Sequence, residues 1–131
     1  MPTTLQIVHA RDFVRTTPTG HLDWETTQRL FTAIAKTAAQ LEGCDFLMDN
    51  RELSSIDLSD TQLWYLVQLL LDFDPIFRGK IAILLPEEAS GDRARFFELC
   101  ATNRGFRVKA FKQFEAAINW LSSQTEINPA D

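Results

Sequence analysis

Short runs of β-branched and apolar residues alternate along this chain with longer stretches in which apolar positions recur every three or four residues. The first pattern is that of strands, the second that of helices buried on one face. Residues 5–10 (LQIVHA) and 13–17 (FVRTT) read as two strands. The Arg11-Asp12 link between them is short enough for an antiparallel hairpin, and Pro18-Thr19-Gly20 reads as the end of the second strand. Asp23 then stands as N-cap of a helix reaching about Leu41. Leu30, Phe31, Ile34, Ala38 and Leu41 share one face, and Gly43 follows as a C-terminal stop. Residues 44–48 (CDFLM) read as a short buried strand ending at Asp49.

The next helix is announced by its own grammar. Ser59 and Gln62 form the S-x-x-Q capping box, and Leu58 and Leu63 are spaced as a hydrophobic staple. This helix should reach Phe73 and stop before Pro75. Residues 80–85 (KIAILL) form the strongest strand pattern, ended by Pro86. Ser90 or Gly91 opens a helix closed by Gly105, residues 107–111 (RVKAF) alternate as a strand, and residues 114–121 (FEAAINWL) form a last helix. The order ββαβαβαβα predicts an α/β fold: a mainly parallel sheet with right-handed crossovers and an antiparallel first strand. Residues 1–122 are expected to form one domain, with residues 123–131 as a flexible polar tail.

One helix is too apolar for a single buried face. Leu63, Trp64, Leu66, Val67, Leu70 and Leu71 surround it, and Phe73, Ile76 and Phe77 extend the surface. Two outcomes are open. The N-terminal hairpin or a neighbouring helix covers the excess. Otherwise Leu66, Val67, Leu70, Leu71, Phe73 and Phe77 meet a second copy in a symmetric homodimer, or a small apolar, acyl-like ligand.

Charge and composition narrow the functions. The chain has 131 residues and a formal net charge of −5, which opposes nucleic acid and anionic lipid surfaces. Cys44 and Cys100 form no CxxC or Cys/His cluster, so no zinc site is expected. Gly91-Asp92-Arg93 lacks the glycines and the Lys-Ser/Thr of a phosphate loop, and no cofactor is expected. The apolar run 63–71 is too short for a transmembrane segment. The start, Met1-Pro2-Thr3-Thr4, lacks a secretory pattern, and the expected location is the reducing cytoplasm.

Few residues carry the pattern of catalysis. Asp49, Glu52, Asp57 and Asp60 crowd one strand-to-helix loop, with Arg51 among them. Such carboxylates do acid–base work or hold a hard cation only when they converge; otherwise they are solvated. His9 and His21 have no nucleophile motif nearby, so a triad would need tertiary convergence with this acidic loop. No catalytic or metal-binding residue is assigned, and the chain reads as a non-enzyme. Arg93, Arg95, Arg104, Arg107 and Lys109 make the C-terminal third locally basic, as a patch for an acidic partner or a solvated helix face.

Two segments resemble the SpoIIAA-like, or STAS-type, superfamily. The C-terminal third is similar to its bacterial SpoIIAA-like branch through Ala94, Arg95, Phe97, Glu98, Phe111, Ala117, Trp120 and Leu121. The segment FLMDNRELSSIDLSD resembles the STAS pattern of a strand ending in Asp, a loop, then Asp-Ser-Ser-Gly at a helix start. The resemblance implies a right-handed βα superhelix that regulates through protein–protein contact. In sporulation antagonists the second Ser of the pattern is phosphorylated and is recognised by a kinase and an anti-sigma factor. By position Asp57 matches the Asp and Ser59 the phosphoacceptor, while Leu58 replaces the first Ser and Asp60 the Gly. The expected partner is therefore a protein, not identified by the sequence, docking on Asp57, Ser59, Asp60, Leu63 and Trp64. Ser59 as a plain helix cap is the competing reading.

Overall fold

The computed structural model describes residues 4–9, 13–41 and 43–123, with Gln6, Val8 and His9 described by their backbone alone. The Arg11-Asp12 turn and the tail beyond Ser123 lie outside the described residues. Ten elements follow in order: β1 (Thr4–His9), β2 (Phe13–Leu22), α1 (Trp24–Ala38), β3 (Asp45–Asp49), β4 (Leu53–Ile56), α2 (Asp60–Asp72), β5 (Lys80–Leu84), α3 (Asp92–Asn103), β6 (Arg107–Phe111) and α4 (Phe114–Ser122). The sheet runs β1-β2-β3-β5-β6, and β4 also pairs with β2. β1 is antiparallel to β2, and the other pairs are parallel. The expected α/β class and N-terminal hairpin are both present.

Three details differ from the pattern read along the sequence. β4 is an additional strand, so the order is ββαββαβαβα. β2 does not end at Pro18 but continues to Leu22. Its far half has β1 on one side, where Leu5 faces Pro18, and β4 on the other, where Leu22 faces Ile56. The register slips between Gly20 and His21, and Gly20 takes a φ of 91°, a bulge geometry that favours glycine. Finally, α1 ends at Ala38, and a turn in which the Leu41 N–H donates to the Ala38 carbonyl (2.9 Å) follows it.

The sheet has two unequal faces. Along β2 the buried residues Val14, Thr16 and Pro18 point to one side, and Phe13, Arg15 and Thr17 to the other. The first side packs under α1, α2 and α3 in the larger core, which includes Phe31, Ile34, Phe46, Leu70, Phe77 and Phe97. On the second side α4 brings Ala117 and Leu121 onto Leu47, Ala82 and Leu84.

Candidate functional site

Two helices begin side by side at one end of the molecule, and each is fixed by a reciprocal cap. In α2 the Gln62 N–H donates to Ser59 Oγ (3.1 Å), and the Ser59 N–H donates to Gln62 Oε1 (2.9 Å). In α1 the Thr26 N–H donates to Asp23 Oδ1 (2.8 Å), and the Asp23 N–H donates to Thr26 Oγ1 (2.9 Å). The bonds from the Thr26 backbone and hydroxyl hold the Asp23 carboxyl below its usual range. Leu58 and Leu63 are both buried in the larger core, as a staple requires. The Asp57 N–H donates to the Leu22 carbonyl (2.7 Å), which ties the approach to α2 to the end of β2.

Between these helix starts lies a polar groove of about 500 Å³. Asp23, Trp24 and Glu25 line it from α1, Asp57, Ser59 and Gln62 from the start of α2, and Arg93 from α3. Its flank is aromatic. The Tyr65 ring lies 6.3 Å from Trp24 and 5.6 Å from Trp64. Trp64 is 42% exposed and Tyr65 48%.

The rest of the apolar surplus of α2 is covered by this same chain. Leu63, Leu66, Val67 and Leu70 are buried in the core. Phe77 is fully buried, 5.7 Å from the Phe31 ring of α1 and 5.0 Å from Phe46 of β3. Leu71 and Phe73 are half-buried against the same cluster. Of the two outcomes open in the sequence, intramolecular cover therefore accounts for most of the surplus and leaves Trp64 and Tyr65 outside it.

The acidic loop is divided by the fold. Asp49 is 2% exposed, while Glu52, Asp57 and Asp60 face solvent. Arg51 donates two bonds to Asp49 from Nε and Nη2 (2.9 and 2.8 Å), and Arg15 donates one from Nη2 (2.9 Å). Burial pushes the Asp49 carboxyl up, but these bonds, with the Arg51 N–H, bring it below its ordinary value. Both guanidinium groups also lie over the Phe114 ring, 5.3 and 5.7 Å from its centre. Sequence reasoning missed Arg15 as a partner of Asp49, because only the β2–β3 pairing joins them.

His21 meets Ser55. They are register partners across β2 and β4, and His21 Nδ1 is hydrogen-bonded to Ser55 Oγ. The side chain of His9 lies outside the described residues. Among the described residues no three His, Cys, Asp or Glu side chains converge as a metal site would require, and no helix is long and apolar enough to cross a membrane. The basic residues do not form one patch. Arg93 and Arg95 stand at the start of α3 and Arg104 at its end, roughly 16 Å away at the helical rise per residue.

The second void is apolar. A cavity of about 390 Å³ opens between the sheet and α1, α2 and α3, at the carboxyl ends of β3 and β5. Phe31, Ile34, Met48, Leu66, Ile83 and Phe97 form its buried wall, and Ile56, Asp92 and Arg93 stand at its exposed rim. Of the α2 residues considered for an apolar ligand, Leu66 lines it. The carboxyl end of a parallel sheet is where ligands of open α/β folds generally bind.

This arrangement defines a class by its fold: a SpoIIAA-like α/β domain. No family model matches the chain, and no curated protein is recognisably similar to it in sequence. Solved structures do share its fold. An uncharacterized protein of the DUF3478 family from Shewanella loihica PV-4, itself described as SpoIIAA-like, aligns with a TM-score of 0.61 and 20% identity over 91% of this chain and 93% of its own. An anti-sigma factor antagonist from Mycobacterium paratuberculosis aligns with a TM-score of 0.63 and 13% identity over 93% and 96%. The anti-sigma factor antagonist SpoIIAA in its unphosphorylated form aligns with a TM-score of 0.56 and 17% identity over 94% and 100%. At these identities the likeness is one of fold.

Proposed function

We propose that this protein is a non-enzymatic regulatory module that docks a protein partner where α1 and α2 begin. The observation that carries this reading is the juxtaposition of exposed Trp64 and Tyr65 with the carboxylate-lined groove at Ser59. Trp and Tyr are the residues that most often dominate binding energy at interfaces. Asp23, Glu25 and Asp57 favour a partner that inserts a Lys or Arg side chain. The shared fold with two anti-sigma factor antagonists supports the class of function. Phosphorylation of Ser59 would add up to about two negative charges at the positive end of α2. The helix tolerates them, and the acidic groove becomes more repulsive to an incoming acidic surface and more attractive to a basic one. A second copy of the chain is the alternative occupant of the same face. The setting for such docking is the cytoplasm, which suits the free thiols of Cys44 and Cys100.

The test starts with a photo-crosslinking residue at position 64 and, as control, at exposed Thr102 in the last turn of α3. A protein captured at 64 but not at 102 is then titrated by calorimetry. Trp64→Ala should weaken binding at least tenfold, and Ser59→Glu should change affinity with an unaltered circular dichroism spectrum. Equal affinities for the three proteins would remove this face from the function.

A second reading, binding of a small apolar ligand, is favoured by the cavity described above. Its volume lies in the range of small-molecule sites, roughly 300–1,000 Å³.

A further inference from the structure

We infer that the cavity under α1, α2 and α3 takes a free single-chain carboxylic acid, its alkyl chain inside and its carboxylate at the rim beside Arg93. This rests on the second reading above and names its ligand class. Most of the interior wall favours a hydrocarbon: Phe31, Ile34, Met48 and Leu66 are apolar and carry no charge to neutralise. The rim offers an anion what the wall does not. Arg93 makes no ion pair among the described residues, whereas its neighbour Asp92 faces Arg95 at 3.9 Å. α3 is also entered differently from α1 and α2. Its N-cap is Gly91, with φ 79° and no side-chain cap; the Asp92 N–H makes only a long bond to Ser90 Oγ (3.4 Å), and the reciprocal box that closes the other two helices is missing.

A buried polar group on the cavity wall points the same way. Thr27 of α1 is 2% exposed, and its hydroxyl has no hydrogen-bond partner. Other threonines of the same helix satisfy theirs: Thr32 donates to the Gln28 carbonyl (2.8 Å) and Thr37 to the Ala33 carbonyl (3.2 Å). Thr27 sits one turn in from Trp24 and Glu25, which share the adjoining groove with Arg93. The orphan hydroxyl and the cation both line the void, and the adjoining groove brings the start of α1 beside Arg93. A turn of the Thr27 side chain to donate to a carboxylate oxygen satisfies both. A net charge of −5 favours the free acid over a lipid held in an anionic bilayer.

The test is calorimetric titration with dodecanoic acid and dodecan-1-ol, which share a chain and differ in the head. The wild type should bind the acid at least fivefold more tightly. Arg93→Gln should weaken the acid about tenfold and the alcohol less than twofold. Thr27→Val, of nearly equal shape, should weaken the acid several-fold while the fold persists by circular dichroism. Leu30→Trp, which fills the half-exposed mouth, should abolish binding of both. If both probes bind and Arg93→Gln leaves their ratio unchanged, the anionic head is refuted while an apolar site stands. If neither binds, the apolar-ligand reading fails with it. Co-flotation with phosphatidylglycerol vesicles in the absence of any response to dodecanoic acid also overturns the proposal.

Discussion

A carboxylate buried at the end of a central strand is costly unless cations meet it. Asp49 is met twice, by Arg15 from the neighbouring strand and by Arg51 two residues on. Both arginines keep part of their surface in solvent, which limits their desolvation. The arrangement locks the turn after β3, from which β4 departs to meet β2. Asp49→Asn leaves the shape and removes the charge, and should cost about 2 kcal/mol at neutral pH, the scale of hydrogen bonds to charged groups. The pH dependence has a definite sign. The folded pKa is lowered, so the contribution is complete above the unfolded value, near 3.9, and is lost as pH falls through the lower folded value. Urea unfolding should show the gap between wild type and variant shrinking from about pH 5 downward. A gap that stays constant to about pH 2 would show that Asp49 is not held as described.

At the scale of elements, tight strand contacts explain where the sheet cannot tolerate change. Gly79 precedes β5, and a Cβ there would come within 2.3 Å of the Cys44 carbonyl oxygen and 2.7 Å of Asp45 Oδ1. That same Asp45 oxygen accepts from the Lys80 N–H (2.8 Å), so the carboxyl cannot swing away freely. Gly79→Ala should therefore destabilise by about 2 kcal/mol, an overpacking cost, and thermal unfolding measures it. Little change would mean that β3 and β5 part easily at this end. Element legibility in the sequence followed burial. The Ser59-x-x-Gln62 box and its Leu58–Leu63 staple were plain, because caps are local. β4 was not, because Ser54, Ser55 and Ile56 are exposed and only pairing with β2 makes them a strand. Pro18 and Gly20 are breakers in isolation, yet β2 passes through both, with a bulge just past Gly20.

Across the whole molecule, the groove and the cavity both lie where strands end and helices begin. The SpoIIAA-like fold was legible because alternating strands and helices fix the topology, and residues from α3 to α4, with the segment from β3 to the start of α2, carried the resemblance. The site was only half legible. Ser59, Asp57 and Trp64 stood out along the chain, but an all-round apolar α2 could not say which residues stay uncovered. The tertiary packing around α2 is what sorts buried Leu70 from exposed Tyr65. The groove and the cavity were invisible, since each is assembled from segments distant in sequence. Amide hydrogen exchange with and without the captured partner tests the docking face most directly. Protection should rise at residues 57–66 and at the first turn of α1, and stay unchanged over β6 and α4. Protection confined to β6 and α4, with the starts of α1 and α2 unaltered, would contradict the account.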